Sequence, residues 1–368
     1  MELRSAFPLS VALGALLGVG IVVVGDQDSS PAPDLAIAAV RTLTEPPVRF
    51  DLPIVPNSSV ERFVSLFRDE QPDRMALYLK RSGRYEGMIR AKLRERGMPE
   101  DLIYLSMIES GFNPNARSRA SAVGLWQFMA ETARDYGLRV DAYVDERRDP
   151  EKSTDAAVRY LEDLYDEFGA WNLAAAAYNS GAGRVARIMR EETGDERGKE
   201  SDFWRIRRRL PADTREYVPL IFAAALVGKE PHKYGLDNVE RWLPVPTDTV
   251  EVAGGTRLAT VAKRVGVSEE DLRTLNPHLV KAMTPPGDKY PVIIPDGAAE
   301  AHAAATTGGA RADAAGLDAP AKTHRVARGE SLALIAAHHG VSLSALQRVN
   351  GLGKRATIQP GQLLRLPV

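Results

Sequence analysis

Glu109 is the side chain whose surroundings could do acid-base chemistry, and it lies in the stretch from Asp101 to Met129. Pro99 can take a helix's first position, with Glu100 and Asp101 in the first turn, where carboxylates meet the exposed amides of a helix start. The spacing therefore predicts a helix from about Pro99 to Ser110. Leu102, Leu105 and Glu109 fall at i, i+3 and i+7 and share one face, and Ile103 and Ile108 widen its apolar surroundings. Gly111 and Asn113-Pro114 end the helix. A carboxyl on such a face has its charged form disfavoured, so it can hold a proton near neutral pH and donate it. Position alone also allows Glu109 to be exposed at the helix end, or paired with Arg117 or Arg119. The run from Ser118 to Met129 shifts the balance toward a site. Gly124 permits close backbone approach, and Trp126, Gln127, Phe128 and Met129 mix large apolar groups with one amide.

Helical periodicity surrounds this stretch. Val60, Phe63, Val64 and Phe67 form one stripe, and helical patterns dominate from there to Leu243. Tyr136-Gly137 closes a short helix. Asp149-Pro150-Glu151 opens a long one through Tyr160, Leu161, Leu164 and Phe168, which Gly169 stops. Trp171 to Tyr178 is nearly all alanine on its inner side, which lets helices approach closely, and Tyr178 and Asn179 end it as a polar pair. Such a pair is either a plain helix end or part of a site. A compact all-helical domain follows.

Four motifs recur in a known order. Glu109-Ser110, then Gly124 to Met129, then Ala177-Tyr178-Asn179 with Gly181, then Thr214-Arg215-Glu216-Tyr217-Val218-Pro219 resemble the lytic transglycosylases of bacterial cell walls, most closely the membrane-bound type D group. The resemblance covers roughly Ser58 to Leu243. Val123, Ser180 and Asp213 depart from the usual pattern without touching the acid. It implies a lysozyme-like catalytic domain in which Glu109 acts as general acid and then base, with no metal and no cofactor. It further implies that Ser118, Gln127, Phe128, Met129, Tyr178, Asn179 and Tyr217 bind the sugar, and that Trp126 joins Phe128, Tyr178 and Tyr217 in an aromatic-lined groove. The implied substrate is the peptidoglycan glycan strand.

Composition bounds the rest. The 368 residues, 44% hydrophobic and 26% charged, suffice for two or three domains. With 48 basic and 49 acidic residues the net charge is -1, which gives no electrostatic case for nucleic acid as a partner. The absence of cysteine excludes disulfides, thiolate metal sites and a lipoprotein anchor. Scattered histidines, no HExxH and no acidic calcium loop argue against a metal. His338-His339 reads as a solvated pair. Met1 to Arg4 followed by the apolar run Phe7 to Gly25 reads as an export signal over residues 1–25, or as a membrane anchor if left uncut. The expected location is then the periplasm or cell envelope, with residues 26–57 a polar linker and 58–243 the helical domain.

The C-terminal third repeats itself. Val252, Gly255, Leu258, Val261, Ala262, Gly266, Val267, Ser268, Leu272 and Asn276 recur at a constant offset as Val326, Gly329, Leu332, Ile335, Ala336, Gly340, Val341, Ser342, Leu346 and Asn350. Each copy reads as strand, helix, serine-capped helix and closing strand. The pattern resembles the lysin-motif (LysM) fold, which as a family binds N-acetylated glycans. The expected fold class is thus mainly α: the catalytic domain, then βααβ modules over 246–296 and 322–368, with a flexible tether over 297–321. The first copy is the more divergent. Other readings are a non-catalytic wall-binding protein on the same fold, or a hydrolase using a second carboxylate. The candidates for that second group, Glu131, Asp135, Asp141, Asp145 and Glu216, all read as solvated.

Overall fold

The computed structural model describes residues 48–306, 323–339, 341–353 and 357–366. The expected leader or anchor over residues 1–25 lies outside them. Among the described residues no helix is long and apolar enough to cross a membrane.

Among the described residues nine α-helices build the first domain: α1 (Ser58–Ser65), α2 (Pro72–Glu95), α3 (Ile103–Ser110), α4 (Ala130–Asp135), α5 (Pro150–Phe168), α6 (Trp171–Ser180), α7 (Ala182–Thr193), α8 (Glu200–Ile206) and α9 (Ala212–Lys229). α9 is the axis of this domain. It is buried through Tyr217 to Ala225 and packs against α1, α3 and α6. Its run of Ala223, Ala224 and Ala225 has no side chain larger than a methyl, so neighbouring helices approach closely. The alanines of α6 act in the same way.

α3 begins one turn later than its sequence suggests, because Glu100–Leu102 forms a 3-10 turn capped by Pro99. The start is satisfied from outside: the Asp51 carboxylate accepts from the backbone amides of Glu100 and Asp101, at 2.7 and 2.9 Å. Asp101, fully buried, accepts from the Asp51 amide at 2.9 Å and pairs with Lys229 at 2.5 Å. With Leu52 also buried, residues 48–57 belong to the helical domain and not to a linker.

The repeats fold as β1 (Thr247–Val252), α10 (Leu258–Val265), α11 (Glu269–Leu275) and β2 (Tyr290–Pro295), then β3 (Thr323–Arg325), α13 (Leu332–His338), α14 (Leu343–Val349) and β4 (Leu363–Arg365). Each strand pair is antiparallel, with Thr247 opposite Pro295 and Thr323 opposite Arg365. The repeated serines cap the second helices, Ser268 accepting from the Asp271 amide and Ser342 from the Ala345 amide. The repeated asparagines pin those helices to the closing strands. Asn276 donates to Ile293 O and accepts from Ile293 N, and Asn350 does the same with Arg365.

The tether over 297–321 is not structureless at its start. α12 (Ala299–Thr306) is a helix that packs on α10 and β1, with Ala298 and His302 buried. Alanine's strong intrinsic helix propensity makes this possible without an apolar stripe to announce it. His339, read as solvated, hydrogen-bonds His324 at 2.9 Å.

Removing one partner of a buried ion pair leaves the other charge uncompensated. Lys229→Met, which leaves Asp101 only the more distant Arg90 at 3.9 Å, should cost about 3 kcal/mol of stability; chemical denaturation checks it, and a change within experimental error would mean that the Lys229 pair does not hold Asp101.

Candidate functional site

Glu109 sits on the last turn of α3, which stops because Gly111 takes a left-handed conformation (φ 58°). A Cβ on Gly111 would lie 2.0 Å from the Tyr78 ring, so no other residue fits without displacement. The serines flanking the acid fasten α3 to the next loop: Ser106 and Ser110 both donate to Leu125 O, at 3.1 and 2.9 Å.

That loop is a tight turn. Gly124 (φ 89°) and Gln127 (φ 49°) both adopt positive φ, and the Gln127 side chain compensates by donating to Gly124 O at 2.8 Å and Ala116 O at 3.3 Å. Val123 and Phe128 exchange backbone hydrogen bonds, both 3.1 Å. On Gly124 a Cβ would lie 1.7 Å from Arg147 O. The turn is therefore wedged between α3 and the segment carrying Arg147.

The acid faces aromatic hydroxyls. Tyr217 of α9 donates to Glu109 Oε1. Tyr178 of α6 donates to Trp126 O at 2.7 Å, and its ring lies 5.1 Å from Tyr160 and 6.3 Å edge-on from Phe128. Glu109 is only 9% exposed, and burial pushes its carboxyl up from 4.5 to about 7, against the opposing pull of the Tyr217 hydrogen bond. Burial, reinforced by the nearby Glu109 charge, raises Tyr178 and Tyr217 well above their ordinary value, so both stay neutral donors. Glu109 makes no ion pair among the described residues, which removes the pairing with Arg117 or Arg119. A carboxyl held neutral at the end of a helix, beside a hydroxyl donor, can give up a proton and later take one back.

The other expected site residues divide. Tyr217 hydrogen-bonds the acid and Tyr178 lies near it, with Phe128 against the Tyr178 ring, whereas the Gln127 side chain is turned into its own loop. Asn179 is buried in α6, its Oδ1 accepting from Thr214 at 2.8 Å while its amide nitrogen has no protein partner. Ser118 bonds its own loop, accepting from the Ala122 amide at 3.0 Å, and Met129 leads into α4; neither makes a hydrogen bond to Glu109 or its partners among the described residues. Trp126 does not line the groove. It is fully buried and donates to Thr154 at 2.9 Å, because its indole fills the core beneath the turn.

None of the second carboxylates is placed for catalysis. Asp145 is buried, not solvated, and gripped by the Arg147 fork at 2.8 and 2.9 Å. Glu216 is held by Arg62 and Arg207. Glu131, Asp135 and Asp141 are exposed, and Asp141 is occupied by the amides of Tyr143 and Val144. Arg147 itself escapes sequence reasoning. It donates to Ser121 O and Phe128 O at 3.1 and 3.0 Å, and nothing in the charged run Asp145 to Asp149 distinguishes it from a solvated face.

With this geometry in hand, comparison with known proteins places the chain. The transglycosylase SLT domain family matches residues 87–200. Behind it, the LysM-like domain of lytic transglycosylase MltD matches 246–307 and the LysM domain 324–367. Among curated proteins, membrane-bound lytic murein transglycosylase D of Escherichia coli K12 is 34% identical over 298 residues, covering 77% of this chain and 63% of that protein. The chain thus spans somewhat less than two thirds of that relative. Membrane-bound lytic murein transglycosylase C of Edwardsiella ictaluri is 36% identical over 129 residues, 31% of this chain and 36% of that one. A solved structure of an inactive variant of lytic transglycosylase Slt from Pseudomonas aeruginosa overlaps 43% of this chain and 26% of its own, at 27% identity and TM-score 0.33. The LysM-like match runs through α12, in keeping with that helix belonging to the first module and not to a tether.

The burial of Glu109 has a stability consequence with a definite sign. Its folded pKa, about 7, lies above the ordinary 4.5, so the folded state holds this proton more tightly than the unfolded chain. The contribution is fully present below the ordinary value and is lost as pH rises through the folded one. Glu109→Gln, which still accepts from Tyr217, should therefore raise stability at pH 8 by up to about 3 kcal/mol, with the gain vanishing toward pH 4. Denaturation across pH checks this, and equal stabilities at pH 8 would put the carboxyl in water.

Proposed function

We propose that the protein is an exported peptidoglycan lytic transglycosylase that cleaves the β-1,4 bond between N-acetylmuramic acid and N-acetylglucosamine and leaves 1,6-anhydro-muramic ends. The observation that carries this reading is a buried carboxyl, poised near neutrality, that among the described residues has neither an ion pair nor a second carboxylate bonded to it. The relatives' names, murein transglycosylases, supply the substrate class.

Glu109, protonated, donates to the bridging glycosidic oxygen, and that bond breaks with the oxygen leaving on N-acetylglucosamine. Positive charge develops at the muramic anomeric carbon, where the substrate's own acetamido group can stabilise it. The ionised Glu109 then removes the proton from the C6 hydroxyl of the same sugar, whose oxygen closes the internal ether at the anomeric carbon. The proton returns to Glu109, no water is consumed, and no metal or cofactor takes part. Tyr217 stabilises the carboxylate between the two steps through its hydrogen bond. Tyr178, Asn179, Gln127, Phe128, Met129 and Ser118 are assigned to the sugar groove, and the LysM modules to holding glycan. Residues 1–25 direct the chain to the envelope, as a cleaved leader or a retained anchor.

Mass analysis of sugars released from purified peptidoglycan tests activity and product together. Each muramic end should be one water lighter than a hydrolysis product, and muramic ends carrying oxygen from labelled water would replace this reading with hydrolysis. Glu109→Gln should lose at least about 10²-fold in turnover. Because the first step needs the protonated acid, turnover should fall as pH rises through about 7. Deleting residues 324–368 should weaken sedimentation with insoluble peptidoglycan while leaving cleavage of short soluble chains largely intact; unchanged sedimentation would mean that the last module does not hold glycan.

A further inference from the structure

The first LysM-like module is joined to the helical domain by more than a linker. Val144, in the loop before α5, is fully buried in the module's own core alongside Leu258, Leu272 and Leu279. Val144 and Leu279 pair as an antiparallel bridge, closed by Asp145 N to His278 O at 2.9 Å and Val280 N to Tyr143 O at 3.0 Å. The module thus adds a short strand edge to residues 143–145.

That edge leads to the acid in three links. Asp145, its amide fixed by His278, grips Arg147 with both carboxylate oxygens. Arg147 Nη1 donates to Ser121 O and Phe128 O, at the two ends of the tight turn, while Arg147 O presses on Gly124. The turn in turn receives Ser106 and Ser110 at Leu125 O and Tyr178 at Trp126 O. We infer that the first LysM-like module is a brace of the active-site turn, with Asp145 and Arg147 as positioning residues, so that it serves turnover independently of any glycan it holds. The inference rests on the catalytic role proposed for Glu109. A desolvated, bidentate Arg-carboxylate pair transmits position well because its geometry is planar and fixed.

Val144→Ala and Leu279→Ala, which loosen the joint from opposite sides in the full chain, provide the test, with Arg147→Lys as the variant that keeps the charge but loses the fork. All three should lower kcat on short soluble glycan about tenfold or more, since small misplacements near the chemistry are costly, with KM little changed. The alkaline limb of the kcat profile should also move to lower pH, because a loosened turn admits water to Glu109. The groups facing Glu109 there are Tyr217 from α9 and Tyr178 from α6, with Tyr160 from α5 behind them, all neutral in this range. Amide exchange at Val123 and Phe128 should quicken while α9 keeps its protection. Unchanged kcat and exchange would overturn the brace. So would a kcat loss with an unmoved limb and uniformly faster exchange, which would mark general destabilisation. If the full chain released no anhydro ends, the proposed function would fall, whereas the exchange measurement would still decide whether the module braces the turn.

Discussion

The protein depends on keeping one carboxyl dry. Glu109 holds a proton near neutrality only because the end of α3 is enclosed by α9, by the Tyr178 ring and by the turn from Gly124 to Phe128. Each of those elements has a local reason to be there. Gly111 lets α3 stop within contact of Tyr78, the alanines of α6 and α9 let those helices close in, and Gly124 lets the turn lie against Arg147. The hydrogen bond from Tyr217 then does two things at once: it satisfies an otherwise isolated oxygen, and it keeps the acid from becoming so weak that it could not release its proton.

Other buried carboxylates show what Glu109 lacks. Asp101 has Lys229 and the Asp51 amide, and Asp145 has the whole fork of Arg147. In those places a cation lies beside the buried group. Glu109 has the Tyr217 hydroxyl and no ion pair among the described residues, so its proton is the cheaper way to neutralise the charge.

Two copies of one sequence pattern are packed differently by their surroundings. Both keep a serine cap and an asparagine that ties the second helix to the closing strand. The first copy adds α12 on one side and receives Val144 on another, so its core is completed by the helical domain. The second copy has a core of its own, built on Val326, Leu332, Ile335, Leu346 and Leu364, and leans on β2 through α13.

The helices, the acid on its apolar face and the internal repeat were legible in the sequence, because each rests on local spacing: periodicity brings Leu102, Leu105 and Glu109 to one face whatever lies beyond them. The resemblance pointed to Tyr217, which hydrogen-bonds Glu109, and to Tyr178 near it. What the sequence could not determine is which side chains meet across the fold. Trp126 and Phe128 are neighbours of similar character, yet one fills the core and the other joins the tyrosines, a choice made by the left-handed turn at Gln127. Asp145 and Arg147 lie in a run that reads as solvated, yet both are buried, between the strand edge contributed by residues 278–280 and the turn at Ser121 and Phe128. Neither the stretch from 48 to 57 nor the helix at 299–306 carries a helical apolar stripe that would signal its burial. They are ordered by partners far away in the chain, Asp51 by the start of α3 and α12 by the module it covers. Local periodicity is a property of the chain alone, whereas the pairing of a charge or the burial of a short segment is a property of what the fold brings beside it.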